Sequence, residues 1–207
     1  MDNPWKYIPF ADYERHMSDP SVGQLSVLSN IFQQQYSAYH PSSLVVFGIC
    51  TGNGLEHIDP KFTRRVSGVD VNSEYLRECA ARYGKRSFEL LLIEADLNTD
   101  PIILSPSDLF VANLFLEYVD IQKFISIVKE SGNDRAVVSV VIQRNNSESF
   151  VSNTNMKSLE TLIGFHVDVR EQELTDAMQR NQFELIFSKK YPLPGKKEFI
   201  RLDFRMT

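Results

Sequence analysis

The stretch that decides the fold runs LVVFGICTGNG, from Leu44 to Gly54. Its first four residues are wholly apolar, which is typical of a strand in a parallel sheet covered on both faces. Three glycines follow, Gly48, Gly52 and Gly54, and these let a backbone turn sharply and approach a ligand closely. Glycine-rich turns after a strand also occur without any ligand, so the stretch predicts a fold and leaves the function open.

Strand and helix patterns alternate on both sides of this turn. A helical pattern begins after a predicted N-cap at Ser21 and ends before Pro41, because the residue before a proline disfavours helix. Another helix is predicted after an N-cap at Asn72 or Ser73. Apolar runs predict further strands at Arg65–Val69, Phe88–Ile93, Leu109–Ala112 and Ala136–Ile142. Repeated strand–helix units of this kind predict a three-layer α/β sandwich with right-handed crossovers.

The two ends of the chain have a different character from its middle. Residues 1–20 are rich in aromatic residues and proline and look irregular, and residues 143–157 are polar and predict an exposed loop. A helix is predicted over Glu171–Arg180. After it, apolar and polar residues alternate in two runs that are separated by Pro192-Leu193-Pro194-Gly195. Alternation with period two around a turn predicts an antiparallel hairpin.

Composition and charge narrow the classes of function. The 207 residues carry a net charge of −5, whereas nucleic-acid binding relies on clustered lysine and arginine. The one local basic surplus, between Lys189 and Arg205, fits a solvated hairpin, so a nucleic-acid partner is disfavoured. The apolar runs are too short to cross a membrane, and the first residues lack a signal peptide, so we expect a cytoplasmic protein. The two cysteines and four histidines show no metal-ligand spacing, so no metal site is predicted.

Acidic residues stand at the ends of the second and third predicted strands. Asp70 follows the glycine turn at about the spacing at which an acid accepts hydrogen bonds from a ribose diol. Asp96 lies beside Leu97, where a carboxylate could bind an exocyclic amine of adenine. The alternatives are a helix-capping aspartate at the first position and a turn aspartate at the second.

Together these features resemble the class I S-adenosylmethionine-dependent methyltransferases over roughly residues 40–206. Four stretches are similar to that family's first four motifs: Leu44–Gly54, Val66–Asn72, Glu94–Leu97 and Asp108–Val119. The terminal hairpin is similar to the family's sixth and seventh strands, and it argues against nicotinamide-dependent dehydrogenases. The resemblance implies an α/β, Rossmann-like methyltransferase sandwich with a mostly parallel seven-stranded sheet and a C-terminal antiparallel hairpin. It also implies a single domain over residues 1–207, with a cap over 1–40 and a cofactor-binding core over 41–207.

The resemblance further implies S-adenosylmethionine as cofactor and S-adenosylhomocysteine as product. The glycine turn would hold the methionine part, Asp70 the ribose, and Asp96 the adenine, with Asn113 near the transferable methyl group. The residues expected to bind cofactor are Gly48, Ile49, Cys50, Thr51, Gly52, Asn53, Gly54, Asp70, Val71, Asn72, Asp96, Leu97, Asn113 and Leu114.

Three positions depart from the family's pattern. Val46 stands where the family usually has an acid that helps to hold the cofactor's amino end. Cys50 replaces the middle glycine of the turn, and Pro60 interrupts any helix that starts near Gly54. These changes could weaken cofactor affinity, remodel the pocket or abolish catalysis, and they leave the fold prediction unchanged.

Methyl transfer needs few dedicated catalytic groups. A sulfonium methyl is already electrophilic, so positioning supplies much of the acceleration, and a base is needed only if the acceptor must lose a proton. The candidates on the acceptor side are Glu117, Tyr118, Tyr13 and His16, and the alternative for each is ordinary packing or surface exposure.

The sequence therefore supports a methyltransferase that acts on a small-molecule acceptor. Asn113 is followed by Leu114-Phe115-Leu116 and not by the Asn-Pro-Pro-aromatic pattern of nucleobase-amine methyltransferases, which disfavours that class. The alternatives are a catalytically inactive methyltransferase-like binding or scaffold protein and a nicotinamide-dependent oxidoreductase. Apolar residues of the terminal hairpin and the N-terminal helix could also form a homodimer contact, although core burial explains them equally well.

Overall fold

The computed structural model of the protein describes residues 2–145, 156–194 and 197–207. Its strands are β1 (Ser43–Phe47), β2 (Arg65–Asp70), β3 (Glu89–Glu94), β4 (Ser107–Asn113), β5 (Gly132–Asn145), β6 (Phe183–Pro192) and β7 (Lys197–Met206). Its α-helices are α1 (Phe10–Ser18), α2 (Gln24–Tyr39), α3 (Ser73–Tyr83), α4 (Ile121–Ser131), α5 (Lys157–Glu160) and α6 (Glu171–Arg180).

The strands form one seven-stranded sheet in the order β3-β2-β1-β4-β5-β7-β6. The first five strands pair in parallel, while β7 runs antiparallel to both β5 and β6. The predicted fold class is therefore confirmed, including the C-terminal hairpin. After β1 the chain moves outward to β3 and then returns to β4, so the order of the sheet reverses between β1 and β4. Ligands of such sheets bind beside that reversal, at the carboxyl ends of the strands.

Helices cover both faces of the sheet. On one face, Phe32 and Tyr36 of α2 pack with Val46 and other apolar residues of β1, β2 and β4. On the opposite face, Phe47 and its neighbours pack against α4 and α6, with Phe124 fully buried. Because side chains alternate along each strand, Val46 and Phe47 belong to different faces.

The first twenty residues form helices, which corrects the expectation of an irregular segment. A 3₁₀ helix spans Pro4–Tyr7 and is followed by α1. The inner face of α1 carries His16 and Met17, so few of its buried residues are aliphatic and the apolar periodicity was too weak to indicate a helix. The predicted N-cap at Ser21 is also wrong.

The start of α2 explains that error. Ser21 donates its hydroxyl to Asp19 at 2.6 Å, within the turn that joins α1 to α2. The helix begins at Gln24, after Gly23, whose φ of 62° only glycine adopts without strain. The predicted boundary between cap and core at residue 40 stays a prediction. Within the predicted cap, α2 packs on the sheet, and the residues before α2, together with Gln24 and Leu28 in its first two turns, reach the carboxyl ends of the strands.

The crossover from β1 to β2 contains no α-helix, as Pro60 led us to expect. Residues 48–64 are all described, and they contain only a 3₁₀ helix at Leu55–His57. The side chain of Phe32 lies so close to Gly54 that a Cβ on this glycine would come within 2.6 Å of the ring. Thus α2 packs directly on the glycine turn.

The exposed loop predicted for residues 143–157 is shorter than expected. Residues 143–145 continue β5, where Gln143 is buried and pairs with Phe199 of β7. Lys157 begins α5. The rest of that prediction, residues 146–155, lies outside the described residues.

The contact between α2 and the turn gives a stability test. Gly54 and Gly164 both have positive φ, at 100° and 82°, but a Cβ on Gly164 would meet no atom within 4 Å. We expect Gly164→Ala to lower the free energy of unfolding by about 1–2 kcal/mol through backbone strain alone. Gly54→Ala adds a clash with Phe32 that costs roughly 1–3 kcal/mol more. Urea denaturation of both variants measures the difference, and equal losses would contradict this packing.

Candidate functional site

A cleft opens at the carboxyl ends of β1, β2, β3 and β4, beside the reversal of strand order. It holds about 1020 Å³ of space between the side chains, including solvent at its mouth. The predicted cofactor-binding residues that line it are Gly48, Cys50, Asp70, Val71, Asp96, Leu97, Asn113 and Leu114. The fold therefore brings together residues from four strand ends, those of β1, β2, β3 and β4, that lie far apart in the sequence.

The glycine turn is tied to the neighbouring strand by its backbone. The amides of Gly48 and Ile49 donate to the carbonyl of Val69, at 2.8 and 3.2 Å. Cys50 has a φ of 49°, so this residue adopts the left-handed conformation that a glycine would adopt without strain. Leu114, on the opposite side of the cleft, has a φ of 54°. Residues held in such conformations cluster at functional sites.

Asp70 joins the turn to the start of α3. Its Oδ2 accepts the Cys50 amide at 2.8 Å, and its Oδ1 accepts the Asn72 amide at 2.9 Å. The side chain is buried, and this burial raises the pKa of Asp70 to about 6. The carboxylate is consequently held in a fixed orientation at the cleft wall.

Asp96 follows the neighbouring strand β3, whose last residue, Glu94, pairs with Asp70. Its Oδ1 accepts the Asn98 amide at 2.9 Å, and its Oδ2 accepts the side-chain amide of Asn3 at 2.9 Å. Both Asp96 and Asn3 are buried. A residue from the beginning of the chain therefore donates to the carboxylate that the sequence predicted to bind an amine.

The segment before α2 covers this part of the cleft. The side-chain amide of Asn72 donates to the carbonyls of Trp5 and Ile8, at 2.8 and 3.0 Å, and this fixes the segment above β2. The ring of Trp5 lies 5.2 Å from Tyr118 and 6.1 Å from Tyr13, measured between centroids. The ring of Tyr13 lies 5.5 Å from that of Tyr75. These four rings, which we call the aromatic wall, all line the cleft.

Two polar atoms of the aromatic wall are buried without a partner among the described residues. They are the indole Nε1 of Trp5 and the hydroxyl of Tyr75. Buried polar groups in native proteins are nearly always hydrogen-bonded. These two atoms are therefore positioned to bind a polar ligand in the cleft.

Six of the predicted cofactor-binding residues stand behind the cleft wall. Ile49 packs against Gly68, and the glycines Gly52 and Gly54 leave room for the rings of Tyr83 and Phe32. Thr51 donates to Glu14 at 2.7 Å, Asn53 donates to the Leu25 carbonyl at 3.3 Å, and Asn72 caps α3. The side chains of these residues hold the turn and the N-terminal segment in place and do not line the cleft.

Three of the four predicted catalytic candidates line the cleft: Tyr13, His16 and Tyr118. Burial raises the pKa of Tyr13 and of Tyr118 well above the usual value, so both hydroxyls stay protonated. Burial and then the charge of Lys197 lower the pKa of His16. A neutral imidazole can accept a proton at neutral pH.

Glu117 lies behind the cleft, which corrects its prediction as a substrate-side group. It is 1% exposed, and its Oε1 accepts the Gln143 amide at 2.9 Å, while Oε2 has no partner in the described ranges. Burial raises the pKa of Glu117 to about 7. The side chain therefore positions β5 beneath the cleft.

The end of the cleft beyond Asn113 is built from residues that the sequence did not single out as site residues. They are Met17, Gln24, Leu28, Gln143, Leu159 and Leu162. Gln24 donates to the side chain of Gln143 at 2.8 Å. No local motif relates α1, α2, β5, α5 and the residues after α5, so sequence patterns did not indicate a site at these positions.

Two further features of the described residues bear on function. No group of three or more histidine, cysteine, aspartate or glutamate side chains within these ranges is arranged to hold a metal ion. None of their helices combines the length and the apolar character that a membrane span requires.

Comparison with known proteins identifies the fold. No family model and no curated protein matches the sequence. Among solved structures, magnesium protoporphyrin IX methyltransferase from Synechocystis with bound SAH superposes with a TM-score of 0.70 and 11% identity, over 98% of this chain and 96% of that one. The N-methyltransferase NodS from Bradyrhizobium japonicum, in complex with SAH, gives 0.69 and 13%, over 99% of both chains.

A third neighbour is geranyl diphosphate C-methyltransferase from Streptomyces coelicolor, in complex with Mg²⁺, geranyl diphosphate and SAH. Its TM-score is 0.68 at 13% identity, over 88% of this chain and 79% of that one. The chain thus has the class I methyltransferase fold, as the motifs led us to expect. Identities this low establish the fold alone.

The buried carboxyl of Glu117 gives a pH-dependent stability test. An acid whose pKa is higher in the folded state than in the unfolded state must ionise at a cost when the protein is folded. Stability therefore falls as the pH rises from the unfolded-state pKa to the folded-state pKa. For Glu117 this window runs from 4.5 to about 7. The free energy of unfolding of Glu117→Gln minus that of the unsubstituted protein measures this cost. We expect this difference to rise by roughly 2–3 kcal/mol between pH 5 and pH 8. Urea denaturation at both pH values measures this, and a pH-independent effect would refute the assignment.

Proposed function

We propose that the protein is an S-adenosylmethionine-dependent methyltransferase that acts on a small-molecule acceptor. The observation that carries the proposal is the pair of buried carboxylates, Asp70 and Asp96, at the ends of the adjacent strands β2 and β3, in one cleft with the glycine turn. A nucleoside offers hydroxyls and an exocyclic amine, which are the donors that such carboxylates accept.

The polar groups of the aromatic wall support the same cofactor. The indole N–H of Trp5 can only donate, and the buried hydroxyl of Tyr75 can donate as well. Both lack a partner among the described residues, and an adenosine moiety carries ring nitrogens and oxygens that accept hydrogen bonds. The residues present therefore fit the cofactor that the fold implies.

The residues of the cleft would divide the work of methyl transfer. When bound, the cofactor supplies an electrophilic sulfonium methyl group. Asp70 and Asp96 would hold the nucleoside, and the turn at Gly48 and Cys50 would hold the amino-acid part. The aromatic wall excludes water, and aromatic faces favour a neighbouring cation. Holding two reactants in line accounts for a large part of the rate enhancement in such displacements.

The far end of the cleft supports a small acceptor. Met17, Leu28, Leu159 and Leu162 give it an apolar lining, and the few polar groups include His16. Apolar pockets with a small number of placed polar groups are typical of small-molecule sites. Two of the similar structures are, by name, methyltransferases of small molecules, magnesium protoporphyrin IX and geranyl diphosphate. His16, whose pKa is lowered, would take the proton if the acceptor carries one.

A second candidate is a methyltransferase-like binding protein without catalysis. Two observations favour it: Asp96 already accepts a hydrogen bond from Asn3, and the acid expected at residue 46 is a valine. Under this alternative the protein binds a nucleoside or no ligand at all, and it transfers no methyl group.

Calorimetry with S-adenosylhomocysteine tests the proposal. We expect binding in the micromolar range and a loss of about tenfold to a hundredfold for Asp70→Ala, because a hydrogen bond to a charged group contributes about 1.5–3 kcal/mol. Asp134→Ala serves as the matched control, because Asp134 is exposed and lies near the start of β5, away from the carboxyl ends of the strands. Well-folded protein that binds neither S-adenosylmethionine nor S-adenosylhomocysteine would overturn the proposal and favour the scaffold alternative.

The pKa of Asp70 predicts how this affinity depends on pH. Ribose hydroxyls bind an ionised carboxylate more strongly than a protonated carboxyl group, and burial raises the pKa of Asp70 to about 6. We expect the affinity for S-adenosylhomocysteine to be constant above about pH 7 and to fall by up to about tenfold per pH unit below 6. Asp70→Asn should bind more weakly at pH 7.5 and lose this fall. Calorimetry at pH 5.0, 6.0 and 7.5 measures it, and an unchanged slope in Asp70→Asn would assign the titration to another group.

A further inference from the structure

A line of buried polar side chains runs from β7 to the cleft across the face of the sheet that α2 covers. It begins at the ion pair between Arg201 and Asp203, which are 3% and 0% exposed. It continues through Ser139 of β5 and Gln35 of α2, both fully buried, and ends at Asn113 of β4. Asn113 is the only member of this line that contributes to the described cleft wall.

Strand register and helix periodicity bring these residues together. Ser139 pairs directly with Asp203 across β5 and β7, so their side chains share a face. On α2, Gln35 and Tyr39 stand one helical turn apart, and the Tyr39 hydroxyl also donates to Asp203, at 2.6 Å. A buried polar line in a largely apolar layer is costly unless every member is hydrogen-bonded.

The direction of each hydrogen bond follows from the ion pair. Arg201 is always protonated and binds both oxygens of Asp203, so that group is a carboxylate and can only accept. Ser139 must therefore donate its single proton to Asp203. Its oxygen is then left to accept, which requires the Gln35 nitrogen, 2.9 Å away, to point toward it.

The orientation of Gln35 in turn fixes Asn113. The second proton on the Gln35 nitrogen is donated to Oδ1 of Asn113 at 2.9 Å, and the Gln35 oxygen accepts from Nδ2 of Asn113 at 3.0 Å. Reversing either amide would bring two donors or two acceptors together. After these bonds, the Asn113 amide keeps one N–H and one oxygen lone pair for a ligand in the cleft.

Asn113 also stands close to the position that lacks an acid. Phe47 pairs with Ala112, so Asn113 follows directly beside Gly48 at the ends of β1 and β4. Val46 lies on the same face but is buried among apolar residues of α2 and the sheet, at 8% exposed. No carboxylate can act from that position, whereas the amide of Asn113 reaches the cleft.

We propose that the Asn113 side-chain amide binds the zwitterionic amino-acid end of the cofactor, with Gln35, Ser139 and Asp203 as the positioning residues that orient it. This inference rests on the proposed function. The free N–H donates to the cofactor's carboxylate and the free lone pair accepts from its ammonium group, so a neutral amide replaces the acid that is missing at residue 46.

Two ligands that differ only in this end test the inference. S-adenosylhomocysteine carries the amino-acid tail, and 5′-methylthioadenosine keeps the adenosine and the thioether without it. We expect Asn113→Ala to weaken S-adenosylhomocysteine binding by about tenfold or more and to leave 5′-methylthioadenosine binding unchanged. Gln35→Leu keeps Asn113 but removes the hydrogen bonds that orient it. This variant should therefore also lower the affinity for S-adenosylhomocysteine relative to the affinity for 5′-methylthioadenosine.

Thr63→Val is the matched control for loss of a buried hydrogen bond. Thr63 is fully buried and donates to the Pro41 carbonyl at 2.6 Å, outside the cleft lining. This variant should be less stable than the unsubstituted protein. Its affinities for S-adenosylhomocysteine and 5′-methylthioadenosine should keep the same ratio as in the unsubstituted protein. Melting followed by circular dichroism verifies that each variant is folded.

Each outcome decides between the two proposals. Unsubstituted protein that binds neither ligand overturns the proposed function. Unsubstituted protein that binds S-adenosylhomocysteine, with an unchanged affinity ratio in Asn113→Ala, overturns this inference alone. Equal weakening of both ligands also overturns it, since the amide would then support the pocket as a whole. If Gln35→Leu does not fold, Asn113→Ala at the half-buried cleft wall decides the matter by itself.

Discussion

The carboxylate of Asp70 connects the parts of the molecule on which the site depends. One oxygen holds the amide of Cys50 in the glycine turn, and the other holds the amide of Asn72 at the start of α3. Asn72 in turn binds the carbonyls of Trp5 and Ile8, so the N-terminal segment rests on the same point. A single buried acid thus fixes the relative positions of β1, β2 and the segment that covers the cleft. Because it already accepts two backbone hydrogen bonds, it needs no reorganisation of the turn to meet a ligand.

Much of the architecture could be predicted because the decisive signals are local. The apolar run before Gly48, the acids after β2 and β3, and the alternation of residues 183–206 each lie within a few neighbouring residues. Parallel pairing then brings the carboxyl ends of the strands to one edge, so the meeting of Asp70 with Gly48 follows from topology. The superposition on solved methyltransferases over nearly the whole of both chains agrees with this reasoning.

The parts that could not be predicted depend on contacts between distant segments. The helix α1 has His16 and Tyr13 on its inner side, and a sequence pattern gives no reason to bury them until the cleft is known. Asn3 donates to Asp96, which lies 93 residues further along the chain. Gln35 meets Asn113 and Ser139 because α2 packs on the sheet. None of these pairs has a spacing or a motif that would distinguish its residues from ordinary exposed polar residues.

Two of the departures from the family's pattern, Cys50 in the glycine turn and Val46 in β1, have physical explanations in the surrounding structure. Cys50 in a left-handed conformation costs about 1–2 kcal/mol, and the hydrogen bond from its amide to a carboxylate contributes about 1.5–3 kcal/mol, which offsets that strain. Val46 has a different origin. The crossover after β1 lacks an α-helix, and Phe32 and Tyr36 of α2 cover this region. An apolar side chain at residue 46 packs against these rings, whereas an acid there would be buried among apolar groups. The apolar residue at position 46 and the crossover without an α-helix therefore share one packing environment beside α2. The buried line from Asp203 to Asn113 passes through the same helix at Gln35 and so brings a polar group to the cleft.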